Sequence, residues 1–420
     1  MVLLELAIKS LRNRLLTTVL TLLSIALSVC LLIGVEMVRQ SARESFQGTI
    51  SQTDLIVGAR SGPVQLLLYT VFHIGSPTAN VSYASFQRYS EDPSVEWTIP
   101  ISLGDSHRGY RVVATNENFY RHFRFRRDRE IRFADGEAGG GVFDVVLGSE
   151  VAESLGYSLG DAVVIAHGIT DTDFLRHDDK PFRVSGILER TSTPVDRSLF
   201  ISLAGMEAVH LGWESGGPPL PGQAVPVDRI RPEDLHISQI SAFLVGMKSR
   251  GLTLRLQRQI NTDSNEALLA IIPGVALSEM WRGIGYAEGA LLIVSAMVVL
   301  VGFVGMLMSI YSSLNERRRE MAILRAVGAS PSQIVVLFVL ESVLLAFLGA
   351  LLGLILLYGL LVLLQPIIET FSGIYLPIRA PGTGELLYLG AVLVAGFLLG
   401  LGPALRAYRS TLADGLTVRL

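Results

Sequence analysis

The chain contains very little cysteine and comparatively little charge. Its single cysteine, Cys30, lies in an apolar run, so no disulfide can form within the chain, and we expect neither a redox role nor a thiolate-bound metal. Cysteine usage therefore leaves the redox compartment open. Charged residues make up 17% of the 420 positions, and the formal net charge is -3 at pH 7. A chain so close to neutral is not expected to bind nucleic acid.

The sequence also lacks the short motifs that accompany catalysis. It has no G-x-x-x-x-G-K-[ST] phosphate-binding motif, and the three glycines at 139–141 lack the lysine and the preceding strand that such a loop needs. It has no G-x-S-x-G motif either. We therefore expect no catalysis by this chain, and any ATP must be hydrolysed by another chain.

Hydrophobic residues make up 50% of the chain and its mean hydropathy is positive, a combination that an average soluble domain rarely shows and that indicates a membrane protein. Four apolar runs are long enough to cross a hydrocarbon core of ~30 Å at ~1.5 Å per residue. They predict transmembrane helices at residues 15–36, 285–311, 333–364 and 386–406. The third run is longer than one span requires, so we expect it to tilt, to break or to extend beyond the bilayer.

Residues 1–14 place apolar and charged side chains on different helical faces. This pattern predicts a cytoplasmic amphipathic helix that lies in the membrane interface ahead of the first span. A cleaved signal peptide is the competing interpretation. No convincing small-x-small cleavage site follows the long run at 15–36, so we interpret that run as an uncleaved transmembrane helix.

Lysine and arginine are concentrated in three of the segments that flank the spans. These basic residues are Lys9, Arg12 and Arg14 before the first span, Arg317, Arg318, Arg319 and Arg325 between the second and third, and Arg406, Arg409 and Arg419 after the fourth. The external loop at 365–385 carries only Arg379. The positive-inside rule therefore places both termini, including the tail at 407–420, in the cytoplasm. The long insertion at 37–284 then lies outside.

The insertion at 37–284 mixes strand-like and helical patterns, which predicts a large α+β extracytoplasmic domain between the first two of four transmembrane α-helices. The predicted strands are Asp54–Val57, Tyr110–Ala114, Val145–Leu147, Ala162–Ala166, Phe182–Leu188 and Ser198–Ser202. The predicted helices are Ser82–Tyr89, Ser149–Leu155 and Leu203–Leu211. We also expect residues 38–50 to prolong the first span and residues 252–272 to begin a returning helical stalk, which Pro273 and Gly274 would interrupt.

A charged helical segment at 312–332 separates the second and third spans. Its charged and interleaved apolar residues include Glu316, Arg317, Arg318, Arg319, Glu320, Met321, Leu324 and Arg325. Such charges cannot lie in hydrocarbon, so the segment must sit at a membrane face, where its apolar stripe can dock while its arginines stay hydrated. Gly328 predicts a helix C-cap, and Ser330 with Pro331 predicts the start of the next helix. We expect a short, stiff, laterally oriented lever.

The run ERRREMAILRAVGAS, followed by QI and then by LES in the next apolar run, closely resembles the signature of ABC transporter permeases of the FtsX/MacB/LolC type, the type VII or mechanotransmission superfamily. The resemblance implies that 312–332 is a coupling helix that seats in a cytoplasmic ATPase subunit, which would hold ATP and magnesium. It also implies a location in the inner membrane, a periplasmic domain at 37–284 and a permease that works as a dimer. An ordinary basic loop between membrane helices is the alternative interpretation.

Two features of the apolar runs carry further expectations. Glu341 lies well inside the third run, where we expect it to pair with a cationic or hydroxyl group, and a proton or substrate relay is the alternative. Gly349 with Gly353, and Gly396 with Gly400, place small residues on one face of the third and fourth spans. Such faces permit close helix approach, either within one chain or between two.

Two polar stretches of the insertion are candidate binding sites. The run HGITDTDFLRHDDK contains His167, Asp171, Asp173 and His177, whose side chains are suitable zinc ligands. It has no fixed ligand spacing, and an ordinary polar loop explains the same residues; the scattered histidines, His210 among them, are expected to be ordinary. The run at 121–133 carries six arginines and fits either a solvated edge or an anion-binding patch for lipid headgroups or an acidic partner.

These features favour a permease subunit that couples ATP hydrolysis by a separate ATPase to movement of its external domain. Export, extraction and envelope maintenance all stay open as the process served, and a periplasmic partner or lipoprotein is an expected contact. The alternative is a membrane scaffold or signalling subunit that regulates a cell-envelope enzyme without transporting a substrate. A secondary transporter is disfavoured, because the chain has only four predicted spans and one isolated membrane carboxylate.

Overall fold

The computed structural model describes residues 2–126, 128–168, 176–213, 227–231, 235–372 and 379–409. The chain forms two compact units. The first comprises Met1–Ala42 and Gly285–Leu420, and we call it the membrane unit. The second is Arg43–Ile284, and we call it the sheet unit.

The described chain contains both long and short helices, together with short strands confined to the sheet unit. The helices are α1 (Val2–Asn13), α2 (Leu15–Gly48), α3 (Pro63–Val71), α4 (Tyr83–Ser90), α5 (Glu117–His122), α6 (Ser149–Leu155), α7 (Leu203–His210), α8 (Thr253–Asn261), α9 (Pro273–Ala326), α10 (Pro331–Ser372) and α11 (Thr383–Arg409). The strands are β1 (Leu55–Ala59), β2 (Val81–Ser82), β3 (Val95–His107), β4 (Tyr110–Thr115), β5 (Arg124–Phe125), β6 (Arg129–Glu130), β7 (Phe133–Gly136), β8 (Asp144–Leu147), β9 (Ala162–Val163), β10 (Ala166–His167), β11 (Phe182–Leu188), β12 (Ser198–Ser202), β13 (Gln239–Ile240), β14 (Ala242–Met247) and β15 (Leu268–Ile271).

Four helices of the described chain, α2, α9, α10 and α11, are long and apolar enough to cross a membrane. The candidate spans are Leu15–Ser41, Pro273–Ser312, Pro331–Gln365 and Thr383–Leu405. The prediction of four transmembrane helices with a large domain between the first two is therefore confirmed. Helix α10 runs unbroken for 42 residues to Ser372, beyond the predicted end at 364, so the long third run contains no break.

The junction between α9 and α10 follows the predicted capping pattern. Gly328 has φ +103°, a left-handed conformation that glycine adopts without a steric penalty. The N–H of Ala329 donates to the carbonyl of Leu324, which is the bond that closes a Schellman motif. Ser330 and Gln333 then form a capping box, since the Ser330 N–H donates to Gln333 Oε1 at 2.8 Å and the Gln333 N–H donates to Ser330 Oγ at 3.4 Å.

The charged segment at 312–332 is not the separate lateral lever that we predict from the sequence. Its first part is the C-terminal end of α9, which continues through the candidate span without interruption to Ala326. The reason is local, because the run from Tyr311 to Ala326 contains neither glycine nor proline. A helix that has left the hydrocarbon can therefore continue as a charged helix.

The sheet unit is built on a mixed 11-stranded sheet. The strand order along its main path is β15-β1-β14-β3-β4-β12-β8-β11-β7, with β10 paired to β3 and β9 paired to β11. Strand β12 runs parallel to β4 and β11 runs parallel to β8, whereas β3 is antiparallel to both β14 and β4. Strand β3 holds the sheet together, because Ile101 pairs with Ala242 of β14 and the next residue, Ser102, pairs with Ala114 of β4.

Helices cover both faces of this sheet. Val112 and Ala114 of β4 pack in one core with α4, α6, α7 and α8, whereas Val113 packs in the other with α3, α5 and the start of α9. All three residues are fully buried. Strand side chains alternate between faces, so both faces of β4 must be apolar in a three-layer arrangement. Each buried valine of this kind contributes roughly 1.5–3 kcal/mol to stability.

Residues 252–272 do not form the predicted stalk, and that prediction is wrong. They form α8 and then β15, which pairs with β1 at the sheet edge. The periodic apolar residues of α8, Leu256 and Ile260, are buried against the sheet. Helix α9 begins at Pro273, because proline lacks an N–H but fits the first turn of a helix. Pro273 thus starts the returning helix instead of interrupting it.

Candidate functional site

Four side chains of metal-ligand type meet near the C-terminal end of β3 in the sheet unit. They are Asp105, His167, His177 and His210, and one ligand atom from each lies within 4.8 Å of the others. Asp105 of β3 and His167 of β10 are direct partners in the antiparallel register of these strands. His210 is the last residue of α7, and His177 lies between β10 and β11. We call these four residues the Asp-His cluster.

The backbone around the cluster explains how these side chains converge. The register of β3 against β4 shifts between Leu103 and Ser106, and Asp105 lies in this irregular stretch. Such bulges re-aim a side chain out of the regular alternation. Helix α7 begins at the cap residue Ser202, and at its other end His210 Nδ1 lies 2.7 Å from the Met206 carbonyl oxygen. That hydrogen bond fixes the orientation of the His210 ring.

Three short distances define the centre of the Asp-His cluster. His167 Nδ1 lies 3.1 Å from His210 Nε2 and 3.3 Å from Asp105 Oδ1. His210 Nε2 lies 3.5 Å from the same Asp105 oxygen. Asp105 and His177 are 0% exposed, whereas the side chain of His167 is 49% exposed. The cluster is therefore buried on one side and reachable from solvent on the other.

Burial and mutual charge shift the pKa values of this group. Burial lowers the pKa of His177 to about 4. Burial opposes ionisation of Asp105, but His167 and His210 hold its pKa at about 2. Burial likewise opposes protonation of His210, yet Asp105 leaves its pKa raised. Among the described residues, neither oxygen of Asp105 and neither ring nitrogen of His177 has a hydrogen-bond partner.

The sequence analysis anticipates part of this cluster. It singles out His167 and His177 as metal ligands, and the structure brings both into the cluster. Asp171 and Asp173, the other two predicted ligands, lie outside the described residues. Asp105 and His210 are missed, because they are remote in sequence from the His-rich loop and only the β3–β10 register and the end of α7 bring them near it.

The arginine-rich run at 121–133 lies partly in the core. Its apolar residues are buried, including Phe123 and Phe125. Arg121 pairs with Glu117 at 2.9 Å, and Arg124 pairs with Glu130 at 3.0 Å. These ion pairs fit the interpretation of a solvated edge, in which local carboxylates neutralise the cations.

The membrane unit contains the predicted buried carboxylate. Glu341 of α10 is 6% exposed, and its Oε1 accepts a hydrogen bond of 3.1 Å from the hydroxyl of Ser10. Ser10 lies on α1, the amphipathic helix that precedes the first span. A hydroxyl partner is among those that we expect for this carboxylate, and the contact joins α1 to α10.

The four predicted packing glycines lie at contacts between helices of one chain. A Cβ atom at Gly349 would lie 2.6 Å from Ile25 of α2, and one at Gly353 would lie 2.7 Å from the backbone oxygen of Ala26. On α11, Cβ atoms at Gly396 and Gly400 would come equally close to side chains of α10. Small residues therefore let α10 approach α2 and let α11 approach α10.

A second polar group of the membrane unit is missed by the sequence analysis. Glu36 of α2 is 4% exposed and accepts hydrogen bonds from Arg39 at 2.6 Å and from Gln40 at 2.8 Å. Arg379 donates to Gln40 Oε1 and lies 3.4 Å from Glu385 Oε1. The network thus joins α2 to the first turn of α11. No local sequence pattern indicates this network, because its members come from distant parts of the chain.

Two protein-family models match successive parts of this chain. The MacB-like periplasmic core domain matches residues 18–225, and the FtsX-like permease C-terminal domain matches residues 292–412. The first match covers nearly all of α2 and most of the sheet unit. The second covers the C-terminal part of the second candidate span, the charged segment and the third and fourth candidate spans. The chain is an ABC transporter permease of the FtsX/MacB/LolC type.

The curated relatives of this permease match it over only part of their length. An uncharacterized ABC transporter permease of Methanocaldococcus jannaschii is 38% identical over 109 residues, which is 26% of either chain. The lipoprotein-releasing system transmembrane protein LolC of Xylella fastidiosa is 26% identical over 297 residues, which is 66% of this chain and 65% of LolC. This chain therefore covers less than two thirds of the length of each.

One solved structure that resembles this permease is the extracellular domain of the noncanonic ABC-type transporter YknZ from Gram-positive bacteria. It matches with a TM-score of 0.30 and 12% sequence identity. The match covers 52% of this chain and 99% of that domain.

The predicted ATPase-coupling residues of this permease lie within the FtsX-like match. The structure describes residues 313–322 only by their backbone, which is helical, and not by their side chains. These residues include Glu316, the three arginines 317–319, Glu320 and Met321. Leu324 and Arg325 are half-buried, and Gly328 ends the segment with its positive φ.

Proposed function

We propose that this permease converts ATP hydrolysis by a separate cytoplasmic ATPase into movement of its sheet unit outside the membrane. The observation that carries the proposal is α9, an unbroken helix of 54 residues. It begins directly after the edge strand β15, contains a candidate span and ends in the charged segment. At ~1.5 Å per residue it is about 80 Å long.

An element of this kind suits the transmission of movement. A displacement of the charged end is carried along a continuous helix without being lost in a joint, provided that the molecule has two discrete arrangements to exchange. The capped turn at Gly328 then couples α9 to α10, so that both helices respond to the same contact.

The ATPase contact is assigned to Glu316–Arg325 in this proposal. Three adjacent arginines and two flanking glutamates give this segment a charge pattern that a complementary partner can recognise. The distribution of lysine and arginine supports a cytoplasmic position for this segment and for both termini. The membrane would then be the inner membrane, with the sheet unit in the periplasm.

Hydrolysis itself is assigned to the partner, which would bind ATP and magnesium, and this chain acts without catalysis. A second copy of the permease completes the complex as a homodimer. The name of LolC refers to lipoprotein release. A lipoprotein or another periplasmic partner is accordingly an expected contact of the sheet unit, and we assign no cargo.

Charge reversal tests the coupling assignment. The complex is purified from native membranes through a tag on the permease, with the triple variant R317E/R318E/R319E beside the wild type. We expect the Kd for the ATPase to rise at least ~10-fold, which corresponds to ~1.4 kcal/mol of binding free energy, and the amount of ATPase recovered to fall accordingly. The permease itself should stay in the membrane, since the substituted residues flank the spans.

A matched control reverses three exposed arginines of the sheet unit. The variant R250E/R255E/R258E makes the same change in net charge on the other unit. We expect it to recover the ATPase at the wild-type level. Equal recovery with both triple variants, whether high or low, would contradict the assignment of the ATPase contact to Glu316–Arg325.

A further inference from the structure

We propose that the Asp-His cluster of the sheet unit binds one zinc ion through Asp105, His167, His177 and His210. All four are common zinc ligands, and four ligands of these types complete a tetrahedral site. The four ligand atoms already lie within 4.8 Å of one another. The inference concerns this chain's own residues and does not depend on the proposed coupling to an ATPase.

The distances within the Asp-His cluster match the edges of a tetrahedron around zinc. Bonds of ~2.0–2.1 Å at a tetrahedral angle separate two ligand atoms by ~3.3–3.4 Å. The three short distances among His167 Nδ1, His210 Nε2 and Asp105 Oδ1 are 3.1, 3.3 and 3.5 Å. These atoms therefore occupy three corners with little rearrangement, and His177 is near enough to move to the fourth.

The hydrogen bonds around the cluster favour a bound metal over direct hydrogen bonds among its four side chains. His210 Nδ1 donates its proton to the Met206 carbonyl oxygen, so Nε2 carries the lone pair that a metal needs. Backbone contacts of this kind are the usual supports of metal-binding histidines. In the neutral form of this ring, His210 Nε2 offers no proton to Asp105, whose carboxylate lies 3.5 Å away.

Buried polar atoms of the cluster that lack hydrogen-bond partners also favour a bound metal. Both oxygens of Asp105 and both ring nitrogens of His177 lack a hydrogen-bond partner within the part of the chain that the structure describes. A buried carboxylate is costly unless a cation lies close to it. A zinc ion removes this cost at Asp105, and it takes a lone pair from His177.

The donor set selects the metal class. Three imidazoles and one carboxylate suit zinc and other transition metals, whereas calcium and magnesium prefer oxygen ligands. A bound ion would join β3, β10, α7 and the segment before β11, so it should stabilise the sheet unit. His167 is half-exposed and gives the ion a route from solvent.

Zinc titration of the full-length permease tests the site. The purified chain in detergent is stripped with a chelator and titrated with zinc against a competing chelator, and its unfolding midpoint is recorded with and without zinc. We expect one zinc ion per chain and a midpoint raised by zinc, because a ligand that binds only the native state stabilises it. Cobalt in place of zinc should give the intense visible absorption of tetrahedral coordination. A chain that binds no stoichiometric zinc, or that binds calcium in preference, would overturn the proposal.

Single substitutions locate the ion. His167→Asn alters an exposed side chain, so the protein should still fold. Loss of a contact that only supports a ligand lowers metal affinity roughly 10–100-fold, and we expect loss of the ligand itself to lower zinc affinity by at least as much. His210→Asn should do the same. The control is His122→Asn, a histidine of the same unit that stacks on Trp97 with ring centroids 5.4 Å apart. Unchanged affinity in His167→Asn and His210→Asn, or an equal loss in His122→Asn, would refute the site.

Discussion

The surroundings of a single histidine predict that this protein loses stability in acid. His73 of the sheet unit lies with its Nδ1 atom 2.7 Å from the hydroxyl oxygen of Ser198. The Ser198 hydroxyl donates to the carbonyl of Pro194, so its oxygen accepts the proton of His73 Nδ1. Burial, followed by the positive charge of Arg111, lowers the pKa of His73 to about 4.

This shift predicts a loss of stability between about pH 6.5 and pH 4. An unfolded histidine binds its proton near pH 6.5. Over this range the unfolded state holds the proton and the native state does not, so stability is highest above pH ~6.5 and falls progressively until the pH reaches about 4. The variant H73N keeps an N–H donor in a similar place and cannot titrate.

The unfolding free energy of the full chain in detergent is to be measured from pH 7 to pH 4 for both proteins. The wild type should lose roughly 3 kcal/mol more than H73N over this range. Identical pH dependence in the two proteins would show that His73 does not titrate as its surroundings require.

Residue-scale reasoning from sequence recovers only half of the Asp-His cluster. His167 and His177 stand close together in a run rich in ligand residues, so composition indicates them. Asp105 follows an ordinary stretch of β3, and His210 is one of several scattered histidines. Their proximity depends on strand register and on the length of α7, which no local pattern records.

The membrane helices show how close packing depends on glycine. Gly353 and Gly359 both lie on α10, but in different surroundings. A Cβ at Gly353 would lie 2.7 Å from the backbone oxygen of Ala26, which cannot move without shifting α2. A Cβ at Gly359 would meet no atom within 4 Å. The two positions therefore form a matched pair on one helix.

Alanine substitution at these positions should have opposite effects. We expect G353A to destabilise the membrane unit by about 1–3 kcal/mol, because the added methyl group forces α10 away from α2. We expect G359A to be neutral or stabilising by up to ~1 kcal/mol, because alanine favours the helix. Unfolding in a common detergent measures both. Destabilisation by G359A that equals or exceeds that by G353A would contradict the packing described for α10.

Among the secondary-structure elements, the sequence predicts the bounds of short strands well and those of long strands and helices poorly. Phe182–Leu188 and Ser198–Ser202 are strands with the predicted bounds, because their apolar runs are short and well delimited. Strand β3 is missed, since Pro100 and Gly104 lie inside it and argue against a strand. The full length of α9 is also missed, because a change from apolar to charged composition does not end a helix.

The whole molecule combines a common membrane architecture with a large sheet unit. The four spans and the FtsX/MacB/LolC family follow from the apolar runs and from the motif in the charged segment. The two faces of the sheet unit cannot be assigned in advance, because a buried strand such as β4 is apolar on both sides. Tertiary contacts decide this point.

The central claim is that ATP moves the sheet unit through the charged end of α9. One spin label per chain can be placed at R255C, an exposed position of α8, once the only cysteine is removed by C30S. In the homodimeric complex that we propose with a partner ATPase, electron paramagnetic resonance then measures the distance between the two labels. The account predicts a distance that differs between the nucleotide-free and ATP-bound complexes and a difference that disappears with R317E/R318E/R319E. The same distance in both states of the complex with intact arginines would contradict it.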